Sequence, residues 1–265
     1  MPKMSKWDDI KVEYLNSNDH IKLAYRQLKP KNPQKALILI PGVTMYGYYY
    51  IPLMKEISNK NILIRVIDLR GHGDSEGKRG DVPNKDSLIK DLQLHINDLE
   101  QKYQGIEIFI GGHSMGAGIC GRFIEKNQNV NVKGVIHLAP FFHYRQSGMK
   151  NSGFLKVDIF KLLFGKDHDV THTYNPAGND QKLVKTYTKI MSKVTMVEDY
   201  NEFKKNDSIK SLLIIGKKDE LFEWKEMFKD FDDNANLKKV AVENETHLGI
   251  ILNSTIADYM AEWIK

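Results

Sequence analysis

One stretch of the chain decides its fold: residues 106–117 read IEIFIGGHSMGA. Its first part is apolar and β-forming, as in a buried strand, and the segment from Met115 to about Lys126 has the residue spacing of a helix. Glycines at 112 and 116 let the strand and the helix approach closely, so that Ser114 projects from a tight turn between them. Strand, turn and helix around Gly-x-Ser-x-Gly predict that Ser114 is a nucleophile.

Continuous apolar runs outside this stretch indicate further buried strands. The runs occupy residues 36–40, 62–67, 135–138 and 212–215. Segments with helical spacing lie between most of them, and one carries regularly spaced apolar residues from Leu88 to Leu99. This alternation predicts an α/β fold with a parallel sheet and crossover helices. A hairpin of residues 10–14 and 21–28 precedes it.

The alternation stops between Pro140 and about Ser208. Apolar residues from Phe154 to Phe164 predict one helix there, and a second helix is expected from about Gln181. We therefore expect residues 1–140 and 208–265 to form one α/β core, and residues 141–207 to form an inserted cap. An insertion after the carboxyl end of a strand lies over the crevice in which such sheets bind ligands.

A serine nucleophile requires a histidine base, and the base requires a carboxylate that orients it. In folds with a serine at this turn, the acid and the histidine follow it in that order, on loops after later strands. His247 follows the strand-like segment 237–242 and is our candidate base. Asp219 follows the buried run 212–215 and is our candidate acid, with its neighbour Glu220 as a rival.

Other histidines after Ser114 have different expected roles. His137 lies within a buried run, which predicts a core position. His143, His168 and His172 belong to the insertion. The last two are four residues apart, but the sequence lacks the glutamate of the helical metalloprotease motif, so we interpret them as part of a polar loop. We expect neither a metal nor another cofactor.

Backbone donors for a developing oxyanion are expected at two places. Met115 begins the helix after the nucleophile, where its N–H points toward negative charge. Val43 follows Pro41-Gly42 after the first central strand, where this type of fold draws its second donor. A plain turn that ends the strand is the alternative interpretation of residues 41–44.

Composition limits the possible partners and locations. The net charge is +5, but the lysines are scattered along the chain, so we do not expect nucleic-acid binding. The single cysteine, Cys120, cannot form an internal disulfide, which favours a cytoplasmic protein. No apolar run follows the first lysines, and none reaches the ~18 residues of a membrane span. We expect no stable membrane insertion, and at most a transient contact with anionic lipid.

These motifs together resemble one family. The chain is similar to the lysophospholipase and monoacylglycerol lipase branch of the α/β hydrolases, also grouped with serine aminopeptidase-like hydrolases. The resemblance rests on Asp68-x-Arg70-Gly71-His72-Gly73-x-Ser75, Gly111-Gly112-His113-Ser114-Met115-Gly116-Ala117, Gly216-x-x-Asp219 and the late His247. It implies an α/β-hydrolase fold with a mostly parallel eight-stranded sheet, helices on both faces and a helical cap. Pro41-Gly42 departs from the family's usual His-Gly.

The resemblance also implies an activity. Ser114, Asp219 and His247 would form a catalytic triad, and Val43 and Met115 an oxyanion hole, for hydrolysis of a small acyl ester such as a monoacylglycerol or lysophospholipid. Candidate substrate-binding residues are Tyr46, Phe154 and Phe160, although an apolar segment like that of the cap more often reflects ordinary packing between cap and core.

Two alternatives to ester hydrolysis remain open at this point. An aminopeptidase or amidase would use the same triad and an acidic residue for the substrate amine, with Asp167, Asp169 and Glu198 as candidates. A ligand-binding protein without catalysis is the other alternative, since one fold serves many functions.

Overall fold

A computed structural model describes residues 10–127, 131–150, 153–176 and 179–265. Residues 1–9, which contain the first lysines considered above for membrane insertion, lie outside this description. Numbered in chain order, the main sheet consists of β1 (Val12–Asn16), β2 (Lys22–Leu28), β3 (Lys35–Ile40), β4 (Leu63–Ile67), β5 (Glu107–His113), β6 (Val135–Leu138), β10 (Ser211–Gly216) and β11 (Leu237–Val242). Its strand order is β1-β2-β4-β3-β5-β6-β10-β11.

The sheet is parallel from β4 to β11, and only β1 and β2 run antiparallel to their neighbours. The predicted α/β class, the parallel sheet and the N-terminal hairpin are therefore confirmed. Strand β5 lies between β3 and β6, with Ile40 paired to Gly112. The carboxyl ends of β3 and β5 thus meet at one edge of the sheet, which brings the residues after Ile40 next to the turn after β5.

Helices cover both faces of the sheet. They are α1 (Ile51–Asn59), α2 (Ser87–Lys102), α3 (Met115–Lys126), α7 (Trp224–Lys229) and α8 (Ser254–Ile264). Successive strand residues point to opposite faces, so Ile38 packs in the cluster that contains residues of α2 and α3, whereas Leu37 packs with residues of α1 and α8. Burial on both faces explains why these strands are continuous apolar runs in the sequence.

Residues between β6 and β10 form the segment that we call the cap. It contains β7 (Leu155–Val157), α4 (Ile159–Phe164), β8 (Val170–Tyr174), β9 (Thr186–Thr188), α5 (Lys189–Val194) and α6 (Tyr200–Lys205). The three strands form an antiparallel sheet of their own in the order β7-β8-β9. The cap is therefore a mixture of strands and short helices rather than entirely helical.

Three local expectations about the cap were wrong. The apolar helix predicted from 154 to 164 is a strand followed by a short helix, because Asp158 ends the strand and its side chain caps α4 by accepting from the Lys161 N–H. The helix expected from about Gln181 begins at Lys189, after Thr188 as its cap. The supposed polar loop around His172 is β8, whose β-branched residues suit a strand.

Candidate active site

The turn that carries Ser114 is the first element of the site. Helix α3 starts at Met115, directly after the serine, and ends at Lys126, as the sequence predicts. Ser114 adopts φ +51° and ψ −117°, a conformation that non-glycine residues rarely occupy. Its N–H donates to the Leu138 carbonyl (2.9 Å), and its carbonyl accepts from the Ala117 and Phe141 N–H groups (3.0 Å each). These main-chain bonds hold the strained residue in place.

Close main-chain contacts explain the two glycines of the motif. A Cβ on Gly112 would overlap the backbone of Gly116, and a Cβ on Gly116 would overlap the Ile40 carbonyl. Any side chain at either position would therefore push α3 away from β3 and β5. The spacing Gly-x-Ser-x-Gly is the sequence signature of this contact.

His247 and Asp219 lie together beside this turn. The Asp219 Oδ2 atom is 2.8 Å from His247 Nδ1, and both side chains are buried. The Asp219 Oδ1 atom accepts from the backbone N–H groups of Leu221 and Phe222 (2.8 and 2.9 Å), which fixes the carboxylate. His247 and Ser114 line the same cavity. The structure thus brings together the serine, histidine and aspartate that the sequence predicts.

Glu220, the rival acid, has a different contact. Its Oε2 atom accepts from the backbone N–H of His247 at 2.9 Å, so it holds the main chain of the histidine loop rather than the imidazole ring. Asp219 is therefore the carboxylate that can select the tautomer of His247, with the proton on Nδ1 and Nε2 free to accept.

His113 links the histidine loop to the loop after β3. Its Nε2 atom is 3.1 Å from the His247 carbonyl, which can only accept, so Nε2 carries the proton. The Tyr50 hydroxyl donates to Nδ1 (2.8 Å) and accepts from the Gly42 N–H (2.7 Å). Burial lowers the pKa of His113 well below its usual range, and the neighbouring His247 lowers it further. We call this chain of bonds the core relay. The sequence motifs do not indicate these contacts.

Val43 lies between two residues whose backbone N–H groups are hydrogen-bonded. Its neighbours Gly42 and Thr44 both donate their N–H groups to tyrosine hydroxyls, Tyr50 at 2.7 Å and Tyr187 at 2.8 Å. Within the described residues, no acceptor bonds to the Val43 N–H. Val43 and Met115 line the same cavity as Ser114. This placement suits both residues as oxyanion donors, despite Pro41.

Two cavities meet at Ser114, Val43, Phe154 and Leu221. The first, of about 220 Å³, is walled mainly by apolar and aromatic side chains, and we call it the aromatic cavity. Its rings are Phe141, Tyr144, Phe154, Tyr174, Tyr187 and Phe222. The second, of about 280 Å³, contains His247, and we call it the histidine-side cavity. Its polar residues include Thr44, Asn175 and Glu220.

The three predicted substrate-binding residues have three different positions. Phe154 lines both cavities. Tyr46 lines neither cavity; its side chain is buried, and its hydroxyl donates to Asp180 at 2.9 Å. Phe160 is 73% exposed on α4 and packs against Phe164. Tyr174 and Tyr187 were not predicted from the sequence, yet they line the aromatic cavity, whereas Tyr46 and Phe160 do not.

Histidines outside the triad make other contacts. His137 is buried in β6, as predicted, and burial lowers its pKa to about 3. His168 contacts Asp81 through Nδ1 at 3.0 Å. His172 is buried in the cap, with its ring nitrogens near the hydroxyls of Tyr144, Thr171 and Ser192. His168 and His172 therefore have separate partners.

None of the acidic residues considered for an amine substrate lines either cavity. Asp169 accepts from the Lys166 N–H at 2.8 Å. Glu198 pairs with Arg122 (2.8 Å) and Lys126 (2.7 Å), and the bond from Lys126 is the main cause of its lowered pKa. The structure thus offers no support for an amine-binding role of these residues.

Fold and site together define a class: this is an α/β hydrolase with its serine in the turn between strand and helix. A family model described as "Serine aminopeptidase, S33" matches residues 31–243. The chain belongs to this family.

Monoglyceride lipases are among its relatives. The enzyme from Rattus norvegicus is 29% identical over 153 residues, which cover 57% of this chain and 49% of that protein. The enzyme from Homo sapiens is 32% identical over 110 residues, which cover 41% of this chain and 36% of that protein. The matched region thus spans about half or less of the length of these relatives.

Solved structures share the fold over nearly the whole chain. A soluble variant of monoglyceride lipase from Saccharomyces cerevisiae, in complex with a substrate analogue, has a TM-score of 0.74 at 17% identity and covers 100% of this chain and 97% of its own. Est1E from Butyrivibrio proteoclasticus, with ferulic acid bound, has a TM-score of 0.70 at 20% identity, covering 95% and 99%. At these identities the likeness concerns the fold alone.

Proposed function

We propose that this protein is a serine hydrolase that cleaves carboxylic esters through a Ser114-His247-Asp219 triad and an acyl-enzyme. One observation carries the proposal: a serine in the strained turn and a histidine oriented by a buried aspartate line one cavity. A hydroxyl is a weak nucleophile near neutral pH, and this arrangement supplies the base that activates it.

Acylation follows from the positions of these groups. Ser114 Oγ attacks the ester carbonyl carbon while His247 Nε2 takes the hydroxyl proton, and Asp219 stabilises the resulting imidazolium. The carbonyl oxygen becomes an oxyanion that accepts from the Val43 and Met115 N–H groups. His247 then returns the proton to the leaving alkoxide, and the C–O bond breaks. Water, deprotonated by His247, attacks the acyl-enzyme and releases the acid in the same way.

The two cavities divide the substrate between them. The leaving oxygen must lie close to His247 to receive its proton, which places the alcohol part in the histidine-side cavity. The acyl part then occupies the aromatic cavity, whose apolar lining suits an acyl group. The histidine-side cavity is also mainly apolar, but Thr44, Asn175 and Glu220 offer polar groups to an alcohol such as the glycerol part of a monoacylglycerol or lysophospholipid. The named monoglyceride lipase relatives support this substrate class.

The outer surface of the cap supports a transient contact with lipid. Four apolar side chains of α4 are exposed, namely Ile159, Phe160, Leu163 and Phe164. Exposed Lys156, Lys161 and Lys166 lie close to them in sequence together with exposed Asp158 and Asp167, and Lys161 pairs with Asp158 at 3.6 Å, so the proposed contact rests on the apolar side chains. In the part of the chain that the structure describes, no helix is long and apolar enough to cross a membrane.

The test combines a covalent probe with a substrate panel. Wild-type protein and Ser114→Ala are incubated with a fluorophosphonate probe, and hydrolysis is measured for nitrophenyl esters of increasing chain length, a monoacylglycerol, a lysophospholipid and aminoacyl anilides. We expect labelling and ester hydrolysis by the wild type, and a fall in kcat of roughly 10⁴-fold or more in the variant.

Each alternative has its own outcome. A wild-type protein that neither labels nor hydrolyses any ester would leave only the ligand-binding alternative. Hydrolysis of the anilides alone would favour an aminopeptidase. A rate that is highest with acetate and falls with each longer chain would contradict the proposed acyl class while keeping the triad.

A further inference from the structure

A tyrosine of the cap holds the loop that carries the proposed oxyanion donor. Tyr187 lies in β9, and its side chain is buried. Its hydroxyl accepts from the Thr44 N–H at 2.8 Å. Thr44 has φ +68°, in the left-handed region that a β-branched residue avoids, so its conformation depends on such outside contacts.

His72 orients the tyrosine hydroxyl. Its Nδ1 atom is 3.0 Å from the Arg70 carbonyl, which can only accept, so Nδ1 carries the proton and Nε2 is an acceptor. The Tyr187 hydroxyl lies 2.7 Å from Nε2 and therefore donates to it. Its oxygen is left to accept from Thr44. Burial lowers the pKa of His72 to about 4, so the ring is neutral near pH 7. We call these bonds the cap relay.

Neighbouring main-chain bonds fix the same part of the cap. The Val184 N–H donates to the Thr44 carbonyl (3.1 Å), and the Thr188 N–H donates to the Gly80 carbonyl (3.0 Å). Gly80 has φ +65°, and a Cβ there would overlap the Thr186 carbonyl. Both polar backbone groups of Thr44 are thus bonded to the cap, and residues 184–188 are closely attached to the core.

The core relay and the cap relay have the same construction on either side of Val43. In each, a buried neutral histidine donates to a carbonyl and accepts from a tyrosine, and the tyrosine oxygen accepts a loop N–H. One relay holds Gly42 and the other holds Thr44. The Val43 N–H between them is left for the substrate.

We propose that Tyr187 is a positioning residue for the proposed reaction: through Thr44, and itself oriented by His72, it aims the Val43 N–H at the oxyanion. The inference rests on the proposed function, because it assigns a role within that site. An oxyanion donor must be in place before charge develops, so a loosened loop lowers transition-state binding more than substrate binding.

The test variant is Tyr187→Phe, which keeps the ring and removes only the hydroxyl. Tyr200→Phe is the matched control, because Tyr200 is also a buried cap tyrosine with a hydrogen bond, to Asp230 at 2.6 Å, and lines neither cavity. We expect Tyr187→Phe to lower kcat by roughly 10- to 100-fold with little change in KM. A boronic acid, which forms a tetrahedral adduct with the serine, should bind more weakly by a similar factor. The control, Tyr200→Phe, should keep the wild-type kcat and the wild-type affinity for the boronic acid.

A second variant and a second measurement keep the outcome clear. His72→Asn retains a donor for the Arg70 carbonyl but removes the acceptor for Tyr187, so it should also lower kcat. This variant tests the inference if Tyr187→Phe does not fold. Hydrogen exchange of the Thr44 amide should accelerate in Tyr187→Phe and stay unchanged in Tyr200→Phe. This readout needs no activity, so it tests the relay even if the wild type hydrolyses no ester.

Two results would overturn the inference. One is a Thr44 amide that stays as protected in Tyr187→Phe as in the wild type. The other is a kcat and boronate affinity that fall equally in Tyr187→Phe and Tyr200→Phe, which would show general destabilisation rather than positioning.

Discussion

The turn around Ser114 and the cap strand β9 both shape the site, but by different means. At the turn, main chain lies directly against main chain, and Gly112 and Gly116 are required because no Cβ fits. At β9, a side chain, Tyr187, bonds the Thr44 amide of the loop after β3, and the Val184 N–H bonds the Thr44 carbonyl. The Ser114 side chain is therefore placed by backbone packing, whereas the Thr44 amide is held by a hydrogen bond that is lost when the single oxygen of the Tyr187 hydroxyl is removed.

The same contrast extends to the rest of the cap. Asp180 accepts from the hydroxyls of Tyr46 and Tyr49 at 2.9 Å each, which attaches the cap to the core by side chains again. Helix α4, by contrast, buries none of its residues. The cap thus combines a fixed inner part with an outer part whose apolar side chains face solvent.

The largest effect on kcat among these predictions is expected for the two neighbouring acidic residues of the core, Asp219 and Glu220. Asp219→Asn should lower kcat by roughly 10³- to 10⁴-fold, because an amide no longer selects the right tautomer of His247 or stabilises its charged form. Glu220→Gln is the matched control: its amide oxygen still accepts from the His247 N–H, so we expect a decrease below about tenfold. Steady-state kinetics on a nitrophenyl ester measures both, and equal losses would show that the assignment of the acid is wrong.

A second prediction compares glycines in the two regions. Gly116→Ala should reduce the free energy of unfolding by about 3 kcal/mol, because its Cβ would overlap the Ile40 carbonyl in a tightly packed interior. Gly153→Ala in the cap should cost only about 1 kcal/mol, since its φ of +67° is unfavourable for alanine but, among the described residues beyond its chain neighbours, no atom lies within 4 Å of the new Cβ. Urea denaturation followed by circular dichroism gives both values. Similar losses would contradict the contrast between turn and cap.

The smallest effect on the folded protein is expected on the outer part of the cap. Phe160→Asp should leave stability within about 0.5 kcal/mol and leave hydrolysis of a soluble ester unchanged, because the side chain is 73% exposed and lines neither cavity. Binding to vesicles that contain phosphatidylserine should fall by roughly tenfold. Tyr14→Asp on β1, another exposed aromatic residue, is the control in vesicle co-sedimentation. If both variants bind as the wild type does, α4 is not the lipid contact.

Sequence was sufficient wherever the structure depends on local pattern. The turn at Ser114, the start and end of α3, and the parallel sheet follow from apolar runs, glycine spacing and helical periodicity, and all were predicted correctly. Asp219 and His247 could be chosen because loops after later strands of a parallel sheet end at the same edge. The positions of Asp219 and His247 in the order of strands and loops along the chain were therefore enough to predict them.

The cap was predicted poorly because its elements are short and depend on contacts distant in sequence. Strand β7 has three residues and pairs with β8, so no periodicity could distinguish it from a helix. Phe160 and Phe154 are equally apolar, yet only one faces the cavities. Tyr187 meets Thr44 across 143 positions, and nothing near either residue in the sequence signals that contact.

The attachment of β9 to the core also determines which parts of this protein can be redesigned. Leu155, Val157 and Tyr174 line the aromatic cavity, so they are suitable for libraries that alter the proposed acyl preference. Val184 and Tyr187, by contrast, bond Thr44 in the loop that carries the proposed oxyanion donor, even though they lie in the insertion. A chimera that takes its cap from another hydrolase should therefore keep residues 184–188 of this chain, including Tyr187, and replace only the rest of the cap.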